Sequence, residues 1–256
     1  MHALRAVWRA LRVLLHLLHG MAVVALVFPR LDAARRQARI ARWSAGLLAA
    51  LGVRLRADGV FRPGATLLVI NHVSWLDIAT VHAVCPRARF VSKADVRHWP
   101  LLGWLIGAVG TLFIERERKR DALRVVHQMA AALEAGDTVA VFPEGTTGDG
   151  HALLPFHANL LQAAIATGTP VQPVALRYAE PGHPVSPCVA WVGTTTLAQS
   201  VWRIAGARGL EVQVQALDAR ASRHADRRAL SGVLRDDIAA ALAAAAATQA
   251  FDQALP

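Results

Sequence analysis

Asn71-His72-Val73-Ser74-Trp75-Leu76-Asp77 is the stretch on which the fold turns. The run before it, Thr66-Leu67-Leu68-Val69-Ile70, is short, apolar and β-leaning, and Pro63-Gly64 bounds it upstream. A run of that kind reads as a buried strand. After Ser74 an apolar, helix-length segment continues to Val84. His72 is therefore expected where a strand ends and a helix begins. In open α/β sheets that carboxyl edge is where ligands bind.

The five-residue spacing between His72 and Asp77 carries chemistry only if a turn intervenes. On one continuous helix the two would point to separate faces, because only three- and four-residue spacings stack. With His72 in the turn and Asp77 in the first helical turn, they can meet. A carboxylate on one imidazole nitrogen fixes the tautomer and frees the other nitrogen as a base. Such a pair can take a proton from a hydroxyl. A plainer reading stands beside it: Ser74-Trp75-Leu76-Asp77 fits S-x-x-[DE], so Asp77 would cap a helix. Both roles are compatible.

Further strands deliver polar residues toward the same edge. Ala88–Ser92 ends at Lys93, and Gly110–Ile114 delivers Glu115 and Arg116. Arg at a strand end suits bidentate contact with a phosphate. Most of the charged run Glu115–Asp121 reads as a solvated helix start. Asp121–Ala135 follows as an amphipathic helix stopped by Gly136. Thr138–Phe142 is an apolar strand leading into Pro143-Glu144-Gly145-Thr146-Thr147-Gly148. That turn is no P-loop, for the Gly-Lys-Ser/Thr element is missing. Nor is it a nucleophile elbow, since G-x-S-x-G occurs nowhere. Gly145 beside hydroxyls suits backbone approach to an anionic oxygen. Val171–Arg177 is another strand, with Pro173 suggesting an edge or bulge. Cys188–Gly193 and Leu210–Leu217 read as later strands, and Arg220–Ala247 as an Ala-rich helix with Ser222 as cap. The uncharged segment from Trp99 to Val109 is too short to span a membrane. It reads as a core helix or as an apolar wall for an acyl chain.

Composition narrows the partners. The chain is 54% hydrophobic with a formal net charge of +10, which suits nucleic acid or an anionic membrane surface. No helix-turn-helix, zinc spacing or aromatic RNA-binding signature appears, so the membrane is favoured and nucleic acid is not expected. Cys85 and Cys188 are too few for a disulfide framework and read as small buried hydrophobes. No tight His/carboxylate ligand motif points to a metal.

Residues 1–56 form a separate, basic region: ten Arg against the single acid Asp32. Within it the uncharged run Val13–Phe28 is shorter than the ~20 residues a spanning helix needs. It reads as a leader, a single anchor or half of a monotopic helix pair. A leader is opposed by the missing A-x-A site and by the Arg-rich Arg35–Trp43 region that follows. The pair would be Val7–Phe28 and Asp32–Leu51, broken at Pro29, with Arg35, Arg36, Arg39 and Arg42 meeting lipid phosphates.

Four ordered blocks resemble the glycerolipid acyltransferase family, whose bacterial type member acylates lysophosphatidic acid. They are Asn71–Asp77 (N-H-x-S-x-x-D), Gly110–Arg116 (G-x-x-F-I-x-R), Phe142–Thr146 (F-P-E-G-T) and the apolar-proline strand Val171–Val174. The resemblance covers roughly residues 60–180. It implies an α/β fold with a mixed, mostly parallel central sheet flanked by helices, similar to glycerol-3-phosphate acyltransferase. It also implies an N-terminal two-helix membrane-binding motif over 1–56 and a catalytic domain over 57–256. His72 would be the general base and Asp77 its orienting partner, with no metal, no cofactor and no covalent acyl-enzyme. Arg116 and Lys93 would hold the acceptor's phosphate, while Glu144, Gly145 and Thr146 shape the acceptor site. The donor would be an acyl thioester of acyl carrier protein or coenzyme A. The acceptor would be 1-acyl-glycerol-3-phosphate, with lyso-ornithine lipid as the alternative, at the cytoplasmic face of the inner membrane. One departure stands out: the type member follows F-P-E-G-T with Arg, whereas this chain has Thr147. A hydroxyl is a poor replacement for a charged fork.

Overall fold

In the computed structural model, which describes residues 2–93, 96, 98, 102–114 and 119–254, the chain opens with two long helices. These are α1 (His2–Leu26) and α2 (Ala33–Leu51), joined by a 3₁₀ turn at Phe28–Arg30. Asp32 caps α2 by accepting from the Arg35 amide at 2.8 Å, and Gly52 ends it in the left-handed conformation. Such caps satisfy backbone groups that the helix itself leaves open.

The rest alternates strands and helices: β1 (Arg54–Asp58), β2 (Thr66–Ile70), α3 (Leu76–Val84), β3 (Ala88–Lys93), α4 (Leu102–Ala108), β4 (Leu112–Ile114), α5 (Lys119–Glu134), β5 (Thr138–Val141), α6 (Gln162–Thr167), β6 (Val171–Ala179), α7 (Leu197–Gly206), β7 (Glu211–Ala216) and α8 (Arg227–Ala254). The seven strands form one sheet in the order β1-β7-β6-β2-β5-β3-β4. All neighbours pair in parallel except β6 with β7. The mixed, mostly parallel sheet expected from the sequence is the one observed. Every residue of β2, β5 and β6 is buried, and β2 and β5 accordingly read as apolar runs after a leading Thr. The apolar sheet residues divide into two packed clusters, one under α1–α3 and α7, the other under α5, α6 and α8.

Three expectations are corrected. Pro173 lies in a central strand, between β2 and β7, not at an edge. It precedes the first pair of the β6–β7 ladder, Val174 with Ala216, so its missing N–H falls at the ladder's end, while its carbonyl still accepts from Leu217. Residues 188–193 form turns rather than a strand, tied across the sheet edge by the Trp191 amide on the Val73 carbonyl at 3.1 Å. The last helix starts at Arg227, where Asp226 accepts from the amides of Arg228 and Ala229. Ser222 instead donates its hydroxyl to the carbonyls of Ala164 and Thr169, a buried tie between loops.

The helix pair is keyed together and to the domain. His16 Nε2 donates to the Trp43 carbonyl at 2.7 Å, and Trp43 Nε1 donates to the His16 carbonyl at 3.1 Å. Their rings stack at 5.1 Å. Gly20 makes the close approach possible, since a Cβ there would lie 2.3 Å from Trp43 Nε1. Arg5 and Arg9, one helical turn apart, donate to the carbonyls of Gly206, Ala205 and Ala207 at the end of α7. A guanidinium there meets both open carbonyls and the negative end of the helix dipole.

Two stability predictions follow from this packing. Gly20→Val drives a side chain into a Trp43 ring that its hydrogen bond to the His16 carbonyl and its stack on the His16 ring hold in place. It should cost about 1–3 kcal/mol, seen as a lower midpoint in thermal unfolding; an unchanged midpoint would refute the keying. The second concerns His82 on α3, whose Nε2 donates to the Ala88 carbonyl at 3.0 Å. Burial lowers its pKa from the ordinary 6.5 to about 4. The folded state therefore holds fewer protons than the unfolded one, and this contribution is complete above pH 6.5 and lost as pH falls toward 4. Between pH 7 and 4.5 it amounts to about 2 kcal/mol. Urea unfolding of His82→Gln should show a pH gap smaller by that amount; a gap equal to the parent's would contradict it.

Candidate active site

The sheet order sets β2 between β5 and β6 with all three parallel, so their carboxyl ends lie side by side. The turn after β2 is fastened by its own residues. Asn71 extends the strand with its side chain: Nδ2 donates to the Leu176 carbonyl and Oδ1 accepts from the Leu176 amide, both at 2.8 Å. The His72 amide donates to Glu144 Oε1 at 2.8 Å, and the His72 carbonyl accepts from Gly148 at 2.8 Å. The turns after β2 and β5 are thus laced together.

His72 Nδ1 lies 2.8 Å from Asp77 Oδ2. A carboxylate only accepts, so Nδ1 carries the proton and Nε2 keeps its lone pair. Nε2 has no hydrogen-bond partner among the described residues. Asp77 is fully buried, and its Oδ2 also accepts from the amides of Val73 and Ser74 at 2.7 and 2.9 Å. Its Oδ1 accepts from the Tyr178 hydroxyl at 2.8 Å. Ser74 Oγ in turn accepts from the Leu76 amide. The helix-start bonds and the imidazole contact therefore coexist on one carboxylate. The His72 ring is stacked on Phe142, centroids 3.9 Å apart, and Phe142 on Phe90 at 5.4 Å.

Glu144 is buried, and its second oxygen accepts from the Leu154 amide at 2.9 Å. Burial pushes its carboxyl above the ordinary range, opposed by the bonds from Leu154 and His72. Gly145 takes a positive φ of 71°, and its missing Cβ leaves room for the His157 ring. Thr147 donates its hydroxyl to the Trp191 carbonyl.

His72, Gly145, Thr146 and Thr147 open onto a cavity of about 900 Å³, large among ligand pockets of roughly 300–1,000 Å³. Its walls come from far apart in sequence: Leu17 and Val24 of α1, Trp43 and Leu47 of α2, Ile78 of α3, Leu105 of α4 and Val201 of α7. Of the expected site residues, His72, Asp77, Glu144, Gly145 and Thr146 come together. Lys93 is the last residue of β3, paired with Ile114 of β4. Arg116 lies outside the described residues. Tyr178 is not among the residues the sequence singles out, because the strand expected there ends at Arg177. The usable signal was the alternation Val174, Leu176, Tyr178, which ends in a polar tip at the strand's carboxyl end. Among the described residues no three His, Cys, Asp or Glu side chains gather as a metal-binding group.

Comparison with known proteins agrees with this layout. The Acyltransferase family model matches residues 53–177. The lyso-ornithine lipid O-acyltransferase of Pseudomonas aeruginosa is 36% identical over 96% of this chain and 97% of its own. The 1-acyl-sn-glycerol-3-phosphate acyltransferase of Neisseria meningitidis is 38% identical over 77% of this chain and 78% of its own. The crystal structure of the 1-acyl-sn-glycerophosphate acyltransferase of Thermotoga maritima superposes with a TM-score of 0.63 at 17% identity, covering 91% of this chain and 96% of that one, and so shares the fold. The chain belongs to the acyltransferase family that contains these lysolipid enzymes.

Proposed function

We propose that this acyltransferase moves a fatty acyl group from a thioester of acyl carrier protein or coenzyme A to a free hydroxyl of a membrane lysolipid. The observation that carries the reading is the 2.8 Å contact of His72 Nδ1 with Asp77, which leaves Nε2 open beside the cavity. Nε2 takes the proton as the lysolipid oxygen attacks the thioester carbonyl. The tetrahedral adduct collapses, the C–S bond breaks, and the departing thiolate takes that proton from the imidazolium. The apolar walls of the cavity suit acyl chains.

In the first reading of the acceptor, 1-acyl-glycerol-3-phosphate yields phosphatidic acid, with Arg116 and Lys93 on its phosphate and the Glu144–Thr146 turn shaping its place. Lyso-ornithine lipid is a second reading that two observations favour. Thr147 brings no fixed charge and spends its hydroxyl on Trp191. The Pseudomonas relative of that name matches nearly end to end.

The same reading puts the protein on the cytoplasmic face of the inner membrane as a monotopic enzyme. Helix α1 is long and apolar enough to cross a membrane. Yet its Ala6, Val13 and Gly20 seam is buried and Arg5 and Arg9 are held by α7. Leu4, Trp8, Leu11, Leu15 and Leu18 stay exposed along its other side, and Trp202 of α7 is exposed too. A helix with that face lies in the interface, and the Arg35, Arg36, Arg39 and Arg42 set of α2 adds attraction to anionic lipid.

Thiol release from acyl carrier protein and coenzyme A thioesters should depend on an added lysolipid. His72→Ala should lower the rate roughly 10²–10⁴-fold while the protein stays folded; a folded variant with full turnover would end the base assignment. An acceptor panel read by mass spectrometry separates the two heads. Thr147→Arg should raise the ratio of phosphate-bearing to ornithine acceptor use, and an unchanged ratio would remove position 147 from acceptor choice.

A further inference from the structure

We propose that Tyr178, braced by Thr80, is a positioning residue for the transfer: its hydroxyl fixes Asp77 and makes the Asp77–His72 pair release its proton at lower pH. The inference rests on the reading of His72 as the base.

Tyr178 is the chain's single tyrosine and stands near the carboxyl end of β6. Its side chain joins Val174 and Leu176 in the apolar cluster beneath α3 and is only 2% exposed. A phenol buried there needs a partner for its hydroxyl, and it has two. It donates to Asp77 Oδ1 at 2.8 Å and lies 3.3 Å from Thr80 Oγ1. A carboxylate cannot donate, so the Tyr178 proton goes to Asp77 and the Thr80 hydroxyl donates to the phenol oxygen. Thr80 sits one helical turn after Asp77 on α3, so one helix carries both ends of the bridge. Burial and the Asp77 charge hold the phenol well above its ordinary pKa of 10.0, so it keeps its proton as a donor.

The bond matters because Asp77 is fully buried, so its charge depends on the donors around it. Three donors crowd Oδ2, and among the described residues Tyr178 is the donor to Oδ1. Drawing charge toward Oδ1 weakens the pull of the carboxylate on a proton bound to the pair. Removing the phenol hydroxyl reverses that, whichever partner then carries the extra proton. The pair should hold its proton to higher pH, and the free base should appear later. The other titratable groups around the site are Glu144 on the His72 amide, His157 against Gly145, His82 on α3, and His16, His19, Arg39 and Arg42 on the α1–α2 side of the cavity. None touches Asp77 Oδ1, so Tyr178→Phe leaves their contacts in place.

The test is the pH profile of kcat and kcat/KM for Tyr178→Phe, Thr80→Val and His72→Ala in the full chain, with thermal unfolding recorded for each. Tyr178→Phe should move the acidic limb of kcat/KM upward by about half a pH unit and lower the plateau kcat roughly two- to tenfold. KM should hold, since the phenol lies behind the pair and away from the cavity. Thr80→Val should shift the limb the same way by less. An acidic limb at the parent's position in a folded Tyr178→Phe enzyme overturns the proposal, as does a loss confined to KM or to thermal stability. If Tyr178→Phe does not fold, an unshifted limb in Thr80→Val overturns it. An active His72→Ala enzyme would strike the underlying reading instead, which keeps the two failures apart.

Discussion

A buried carboxylate with four donors is the constraint to which the active edge answers. Ionised Asp77 in an apolar core would be costly to desolvate unless its lone pairs were filled. They are filled from three directions: two amides of its own turn, the imidazole of His72, and the phenol of β6, the strand beside β2 in the sheet. Those bonds start α3, close the turn and orient the ring together. Starting the helix and holding the imidazole are therefore not separable roles for this side chain. Any change that frees Asp77 from the turn also frees the imidazole.

Glu144 does for the neighbouring turn what Asp77 does for its own. It collects the amides of His72 and Leu154, and so joins the end of β2 to the loop beyond β5. Its burial raises the cost of the charge, and the two amides offset it. The arrangement depends on sheet order. Only with β2 flanked by β5 and β6 can Asn71 pair with Leu176 on one side while His72 reaches Glu144 on the other. Residues separated by more than a hundred positions become neighbours without any long side chain having to stretch.

How much of this was legible follows from the range of each interaction. The buried strands β2, β3 and β5 and the amphipathic α5 announced themselves through local pattern, and so did the turn carrying His72. Asp77's contacts with both the turn amides and the imidazole were readable as well, because all of these groups lie within one short stretch. Pro173 misled because a proline's tolerance depends on which partner strand stops beside it, and here the β7 ladder begins one residue later. The segment at 188–193 misled for the opposite reason: its apolar residues are used as a tied loop over the sheet edge. The Tyr178–Asp77 bond and the Phe142–His72 stack were out of reach, since each requires knowing which strands are adjacent.

The helix pair bears on the chemistry as much as on location. About a third of the residues that line the cavity come from α1 and α2, and neither helix contributes to the sheet. Their seat on the domain is fixed at two points, the His16–Trp43 exchange between them and the Arg5 and Arg9 grip on α7. A spanning α1 would have to release both arginines from α7 and remove one wall of the cavity. Kept in place, the same helix shows one side to the cavity and a stripe of leucines and Trp8 to the outside. Lipid contact and cavity closure then become properties of a single docked helix. The helix that presents those leucines outward thus lines, on its other side, the same cavity onto which His72 opens.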